Sequence, residues 1–163
     1  SERLFLLAAE EPLDSPPHYE SDSLAQFLLH LRGRFDQVVV DIPRFILASH
    51  NSVLSGTQEL VIATDLSLVG LRDANRLKRY FAETVPEVKL TVAANMVRSG
   101  RAGQLAVKDF ARGLEGDLVH RIPLDEKAAG RSANSGQPMA RGAKRGKATA
   151  AIRRLAAELA AAS

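Results

Sequence analysis

Residues 36–44 read Asp36-Gln37-Val38-Val39-Val40-Asp41-Ile42-Pro43-Arg44, a short β-branched stretch that ends in a carboxylate two residues before a proline. It is too short for a helix and too apolar for an exposed strand. It therefore predicts a strand buried on both faces, as in a parallel sheet. Asp41 would stand at the carboxyl end of that strand, the edge where open α/β sheets place their ligands. Two roles suit a carboxylate there. In nucleotide-binding α/β proteins it holds Mg²⁺, usually through water. In any protein it can also cap the turn that follows.

The remaining segments fit the same architecture. Residues 3–9 and 59–64 predict further buried strands, 88–95 a strand ending in Asn95, and 117–122 a last strand stopped by Pro123. Helical periodicity falls between them. Leu24, Phe27, Leu28 and Leu31 share one face after a cap at Asp22 or Ser23, and Gly33 is the expected stop. Residues 45–54 predict a helix ended by Ser55 and Gly56. Residues 68–82 predict a strongly amphipathic one, and 104–112 a short one. One or two helical turns are expected over 125–131, then a loop through 131–145. Over 147–162 an alanine-rich helix is expected, with Ile152, Leu155 and Leu159 inward. Strands that alternate with helices predict an α/β fold, a mostly parallel sheet covered by helices on both faces, joined by right-handed crossovers. No repeat or linker breaks the chain, so residues 1–163 are expected to form one domain.

Composition removes several classes of function. There is no cysteine, which excludes disulfides and thiolate metal sites. His18, His30, His50 and His120 lack ligand spacing, so no zinc site is expected. No apolar run reaches bilayer length and no leader is visible, so a cytoplasmic location is expected. Between residues 141 and 154 the chain carries Arg141, Lys144, Arg145, Lys147, Arg153 and Arg154 and no acid. Such a patch suits nucleic acid, anionic lipid or an acidic partner, or simply solvent. It has no interleaved aromatic ring for base stacking, and nucleic-acid binding is not the expected function. The terminal helix has a small-residue stripe and few charges, which favours docking on the sheet and leaves peripheral membrane contact as the lesser alternative.

Several separated motifs share a likeness. They are Leu4-Phe5-Leu6-Leu7-Ala8-Ala9 with Glu11-Pro12-Leu13-Asp14, the run from Phe35 to Arg44, and Thr64-Asp65-Leu66-Ser67-Leu68-Val69-Gly70-Leu71-Arg72-Asp73-Ala74. To these add Asn95, Ile122-Pro123-Leu124-Asp125 and Ala133-Asn134-Ser135-Gly136-Gln137-Pro138. In this order and spacing they resemble the MinD/ParA branch of the P-loop ATPases, and within it most the CpaE/TadZ proteins of Flp (Tad) pilus assembly. Arg44 is typical of that subgroup. The resemblance implies ATP and Mg²⁺ as cofactors. It implies Asp41 as the carboxylate near the metal, Asn95 as a contact to adenine, and Pro123 and Asp125 on the loop that flanks the base.

The departures bear on activity. The sequence has no G-x-x-x-x-G-K-[ST] loop and no lysine-first variant of it. In the family that loop supplies the backbone amides and lysine that hold the phosphates. The expectation is that it and the front strands lie upstream of Ser1. Three charge-assisted hydrogen bonds at about 1.5–3 kcal/mol each are then absent, a loss that leaves a micromolar site ineffective. Met96 also stands where the family places arginine after Asn95. The expected function is a CpaE/TadZ-like assembly and localisation module, placed at a cell pole and not hydrolysing ATP as this chain. Its expected partners are pilus assembly and secretion proteins. The alternative is part of an active ATPase. Uncovered sheet edges pair readily with another chain, so a homo-oligomer is expected.

Overall fold

The computed structural model describes residues 4–8, 14, 20–47, 51–99, 103–115 and 120–161. They divide into two compact units, residues 1–56 and 57–163.

In the first unit, α1 spans Ser21–Arg32. It starts one residue before the expected caps. Glu20 holds the cap position without a side-chain bond to the backbone, and Ser23 Oγ donates to Glu20 Oε2 at 3.4 Å. Gly33 follows in right-handed geometry, so it ends the helix without the left-handed turn that favours glycine. The 45–54 helix is replaced by two tight turns. Ile46 N–H bonds Pro43 O, Leu47 N–H bonds Arg44 O, and Asn51–Leu54 form a 3-10 turn. Residues 48–50 of the expected helix lie outside the described residues. Gly56, at φ 67°, supplies the left-handed turn after it. Leu28, Leu47, Val53 and Leu54 form the buried core of this unit, and the Arg32 guanidinium donates to Ser55 O.

Two predicted strands are not strands here. Residues 4–8 and 37–43 are unladdered; Leu6 is 90% exposed and Val39 95%. The apolar pattern specifies what these segments bury when a neighbour is present. A strand becomes one only when another chain segment takes its N–H and C=O groups, and no described segment does so. Phe5 and Phe35 are in contact, with ring centroids 5.2 Å apart.

The second unit carries the sheet. Among the described residues it has three parallel strands in the order β1 (Glu59–Thr64), β2 (Lys89–Val97), β3 (His120–Pro123). Register runs from Glu59 opposite Lys89 to Thr64 opposite Ala94, and from Ala93 opposite His120 to Val97 opposite Pro123. Val92, Ala93 and Ala94 are buried in the middle strand, as two-sided cover requires.

Helix α2 (Leu68–Thr84) follows β1 and buries Ala74 and Phe81. The short α3 (Val107–Gly113) buries Phe110 completely and is followed by buried Leu114. Its last carbonyls are met by α2, because Asn75 Nδ2 donates to Gly113 O at 2.8 Å and the Lys78 ammonium donates to Leu114 O. An outlying carbonyl at a helix end needs such a partner when half-buried.

The stretch expected to loop through 131–145 is largely helical. Helix α4 runs Glu126–Ser135 and α5 Met139–Gly142. Gly136 at φ 61° makes the left-handed stop, and Ser132 and Ser135 hydroxyls donate to nearby carbonyls. Glycine and serine here mark helix ends, which composition alone reads as loop.

Helix α6 (Lys147–Ala161) lies against β3. Buried His120 on β3 pairs with Glu158 on α6, Nε2 to Oε2 at 3.2 Å. Ala148, Thr149 and Leu155 are buried, whereas Ile152, expected inward, is 39% exposed. Burying Thr149 rotates the helix's inner face, and its Oγ1 finds Met139 O at 3.3 Å.

Candidate ligand-binding edge

Three parallel strands place three carboxyl ends on one edge of the sheet, and each end carries a polar device. After β1, Asp65 Oδ1 accepts from Ser67 N at 3.1 Å and from Ser67 Oγ. Ser67 Oγ in turn accepts from Gly70 N at 2.9 Å and so caps α2. Asp65 thereby fixes the rotamer of the cap.

The end of β2 is a bulge. From Ala94 to Val97 is three steps, while the paired residues Arg121 and Pro123 on β3 are two apart. Met96 absorbs the extra residue at φ 52°, a conformation rare for a non-glycine. Asn95 Oδ1 accepts from Met96 N at 2.8 Å, which offsets part of that cost. Gln104 completes the device. Its Nε2 donates to Met96 O at 3.0 Å and its Oε1 accepts from Arg98 N at 2.9 Å, as a neighbouring strand would. Sequence reasoning missed Gln104. The only signal was a lone amide side chain directly after Gly103.

The end of β3 leads into α4. Leu124 N–H reaches back to Val97 O at 2.9 Å, and Asp125 Oδ1 accepts from Ala128 N at 3.1 Å. Beside it opens a cleft of about 620 Å³, walled by Arg98, Leu124, Asp125, Lys127, Arg145 and Lys147 among others. Gly146 lies so close that an added Cβ would meet Asp125 Oδ2 at 2.9 Å.

The structure thus brings Asn95, Pro123 and Asp125 to one sheet edge, of which Asp125 lines the cleft. Asp41 belongs to the first unit and is exposed on an extended, unladdered segment. No cluster of three or more metal-ligating side chains occurs among the described residues. Replacing Asp125 by Ala removes the cap bond of α4. The expected loss is about 1 kcal/mol of unfolding free energy, measured by urea titration.

No family model matches the chain. A search of curated proteins finds the septum site-determining protein MinD of Synechocystis sp., 26% identical over 121 residues, which are 73% of this chain and 45% of that protein. Among solved structures, a ParA family ATPase from Chlorobium tepidum superimposes with a TM-score of 0.74 at 24% identity, over 82% of this chain and 55% of the other. A chain of the MinC:MinD cell division protein complex from Aquifex aeolicus gives 0.68 at 23% identity, over 85% and 60%. The fold is that of the MinD/ParA ATPases. The chain spans about half the length of the curated relative it matches.

Within the MinD/ParA fold the fit to a nucleotide is divided. Asn95 offers an exposed amide whose oxygen is already engaged by Met96 N–H, which leaves its Nδ2 as the donor for a ring acceptor. Asp125 lines the cleft at the same edge. No glycine-rich lysine loop occurs among these 163 residues. A single exposed Asp41 is likewise too few ligands to hold Mg²⁺ alone.

Proposed function

We propose that this chain supplies the base-side edge of a MinD/ParA-like fold and works as an assembly and localisation module of the CpaE/TadZ kind in Flp (Tad) pilus biogenesis. One observation carries the reading. The polar carboxyl ends of β2 and β3, with Asn95 at the bulge and Asp125 capping α4, lie at one sheet edge and support a base-flanking role for it. The CpaE/TadZ-like motifs, Arg44 among them, supply the pilus assignment. In this reading the surfaces of the domain carry the function. Its partners are pilus assembly and secretion proteins and a second copy of itself, at a cell pole on the inner face of the membrane. The MinC:MinD complex among the similar structures is precedent for such partner binding. No described helix is long and apolar enough to cross a membrane.

A second reading has an observation in its favour. The chain spans 45% of its MinD relative, so it also suits one portion of an active ATPase in which Asp41 lies near Mg²⁺. Titration of a fluorescent ATP analogue with and without Mg²⁺, with Asp41→Ala beside the parent chain, separates the two. The module reading expects no Mg²⁺-dependent binding up to millimolar analogue and no difference between the chains. Micromolar, Mg²⁺-dependent binding abolished by Asp41→Ala would overturn it in favour of the ATPase.

A further inference from the structure

The segment that joins α4 to α6 forms an open bowl of about 500 Å³. Its rim carries Arg131 from α4, Arg141 from α5, and Lys144 and Arg145 from the turn before α6, with no carboxylate among the lining residues. None of these four cations takes part in an ion pair among the described residues. Yet the backbone that carries them is held firmly. Arg153 from α6 donates to Ala140 O at 3.1 Å and to Lys144 O at 3.5 Å, and Thr149 Oγ1 donates to Met139 O. Two side chains of α6 are thus spent on shaping a turn whose own charges stay unneutralised.

We infer that this bowl is a binding site for a compact anion bearing two or more phosphate groups. Three of the four cations are arginines, whose planar forks take phosphate oxygens in pairs. A cavity of this volume is on the scale of a small ligand. Like charges gathered from three elements repel one another, and a multivalent anion relieves that repulsion where a solvated patch would spread the charges apart. A nucleic acid fits less well. The bowl has no aromatic ring for a single strand to stack on. The cations also gather around a concavity, whereas a duplex presents its phosphates along a ridge. Asp41 does not line the bowl, and no acid is among its lining residues, although Arg145 and Gly146 are shared with the cleft beside Asp125.

The test is isothermal titration of the whole chain with inorganic tripolyphosphate at low ionic strength and without Mg²⁺. Saturable one-to-one binding is expected, weakened by about tenfold in the double variant Arg141→Gln/Arg145→Gln, since each guanidinium removes a charge-assisted contact. Arg76→Gln removes the same charge from α2, where the guanidinium faces Asp73, and is expected to leave the affinity unchanged. Asp41→Ala is also expected to leave it unchanged, so that failure of the nucleotide reading and failure of this one remain distinct. Circular dichroism checks that each variant is folded. Absence of saturable binding, or equal weakening by Arg76→Gln, overturns the inference. So does tight binding of duplex DNA that tripolyphosphate fails to displace, which would assign the patch to nucleic acid instead.

Discussion

Phe110→Ala is expected to lower the unfolding free energy by about 3–5 kcal/mol. Among the described residues Phe110 is the largest side chain with no solvent exposure, and it sits on a helix of only seven residues. So short a helix has little intrinsic stability and depends on tertiary packing. Leu66 and Leu114 are almost equally buried, and the end of α3 is tied to α2 through Asn75 and Lys78. These ties restrain the collapse that would otherwise fill the space left by the ring. Against a typical total of about 5–15 kcal/mol the loss is a large fraction. Urea unfolding followed by circular dichroism measures it, with the midpoint falling and the slope unchanged. A loss under about 1 kcal/mol would show that α3 contributes little to the core.

The second large effect is expected at Gly70. It lies in the first turn of α2, where glycine is a poorer helix former than alanine by about 1 kcal/mol, so propensity alone predicts that Gly70→Ala stabilises. Packing predicts the opposite. A Cβ there would lie 2.5 Å from Asp65 Oδ1, 2.6 Å from Asp65 O and 2.7 Å from Thr64 Oγ1. The carbonyl is backbone and cannot swing aside. Relief requires moving the end of β1 away from α2, which also strains the Asp65–Ser67 cap. A net destabilisation of about 1–3 kcal/mol is expected. Gly130→Ala on α4 is the internal comparison, since an added Cβ there meets nothing within 4 Å. It is expected to stabilise by about 0.5–1 kcal/mol. Opposite signs at two helical glycines, read from the same denaturant titrations, would confirm that contact and not propensity decides the first.

The segments that were legible share one property, in that their pattern and their partners lie in the same chain. Residues 59–64 are β1 as expected, and α2 runs only two residues past its expected end. Asn95, Pro123 and Asp125 were expected at one sheet edge, and the parallel register of β2 and β3 puts them there. The stretch 131–145 was misread because glycine, serine and asparagine mark both loops and helix ends. Only the bonds of Asp125 and Gly136 at the two ends of α4 distinguish these cases. The Met96 bulge was invisible for a different reason. A left-handed methionine has no local signature, and it is held by Gln104 from eight residues away.

By itself the sequence determined the alternation of strands and helices and the parallel sheet this implies. Periodicity and short motifs are local, and they survive without knowledge of partners. Tertiary structure alone decided which apolar runs become strands. Val38–Val40 and Leu4–Leu7 have the composition of buried strands yet stand unladdered, because a strand's hydrogen bonds belong to its neighbour as much as to itself. It also decided which cations are free. Arg153 and Arg141 look alike in the sequence, but α6 turns the first onto backbone carbonyls and leaves the second at the rim of the bowl.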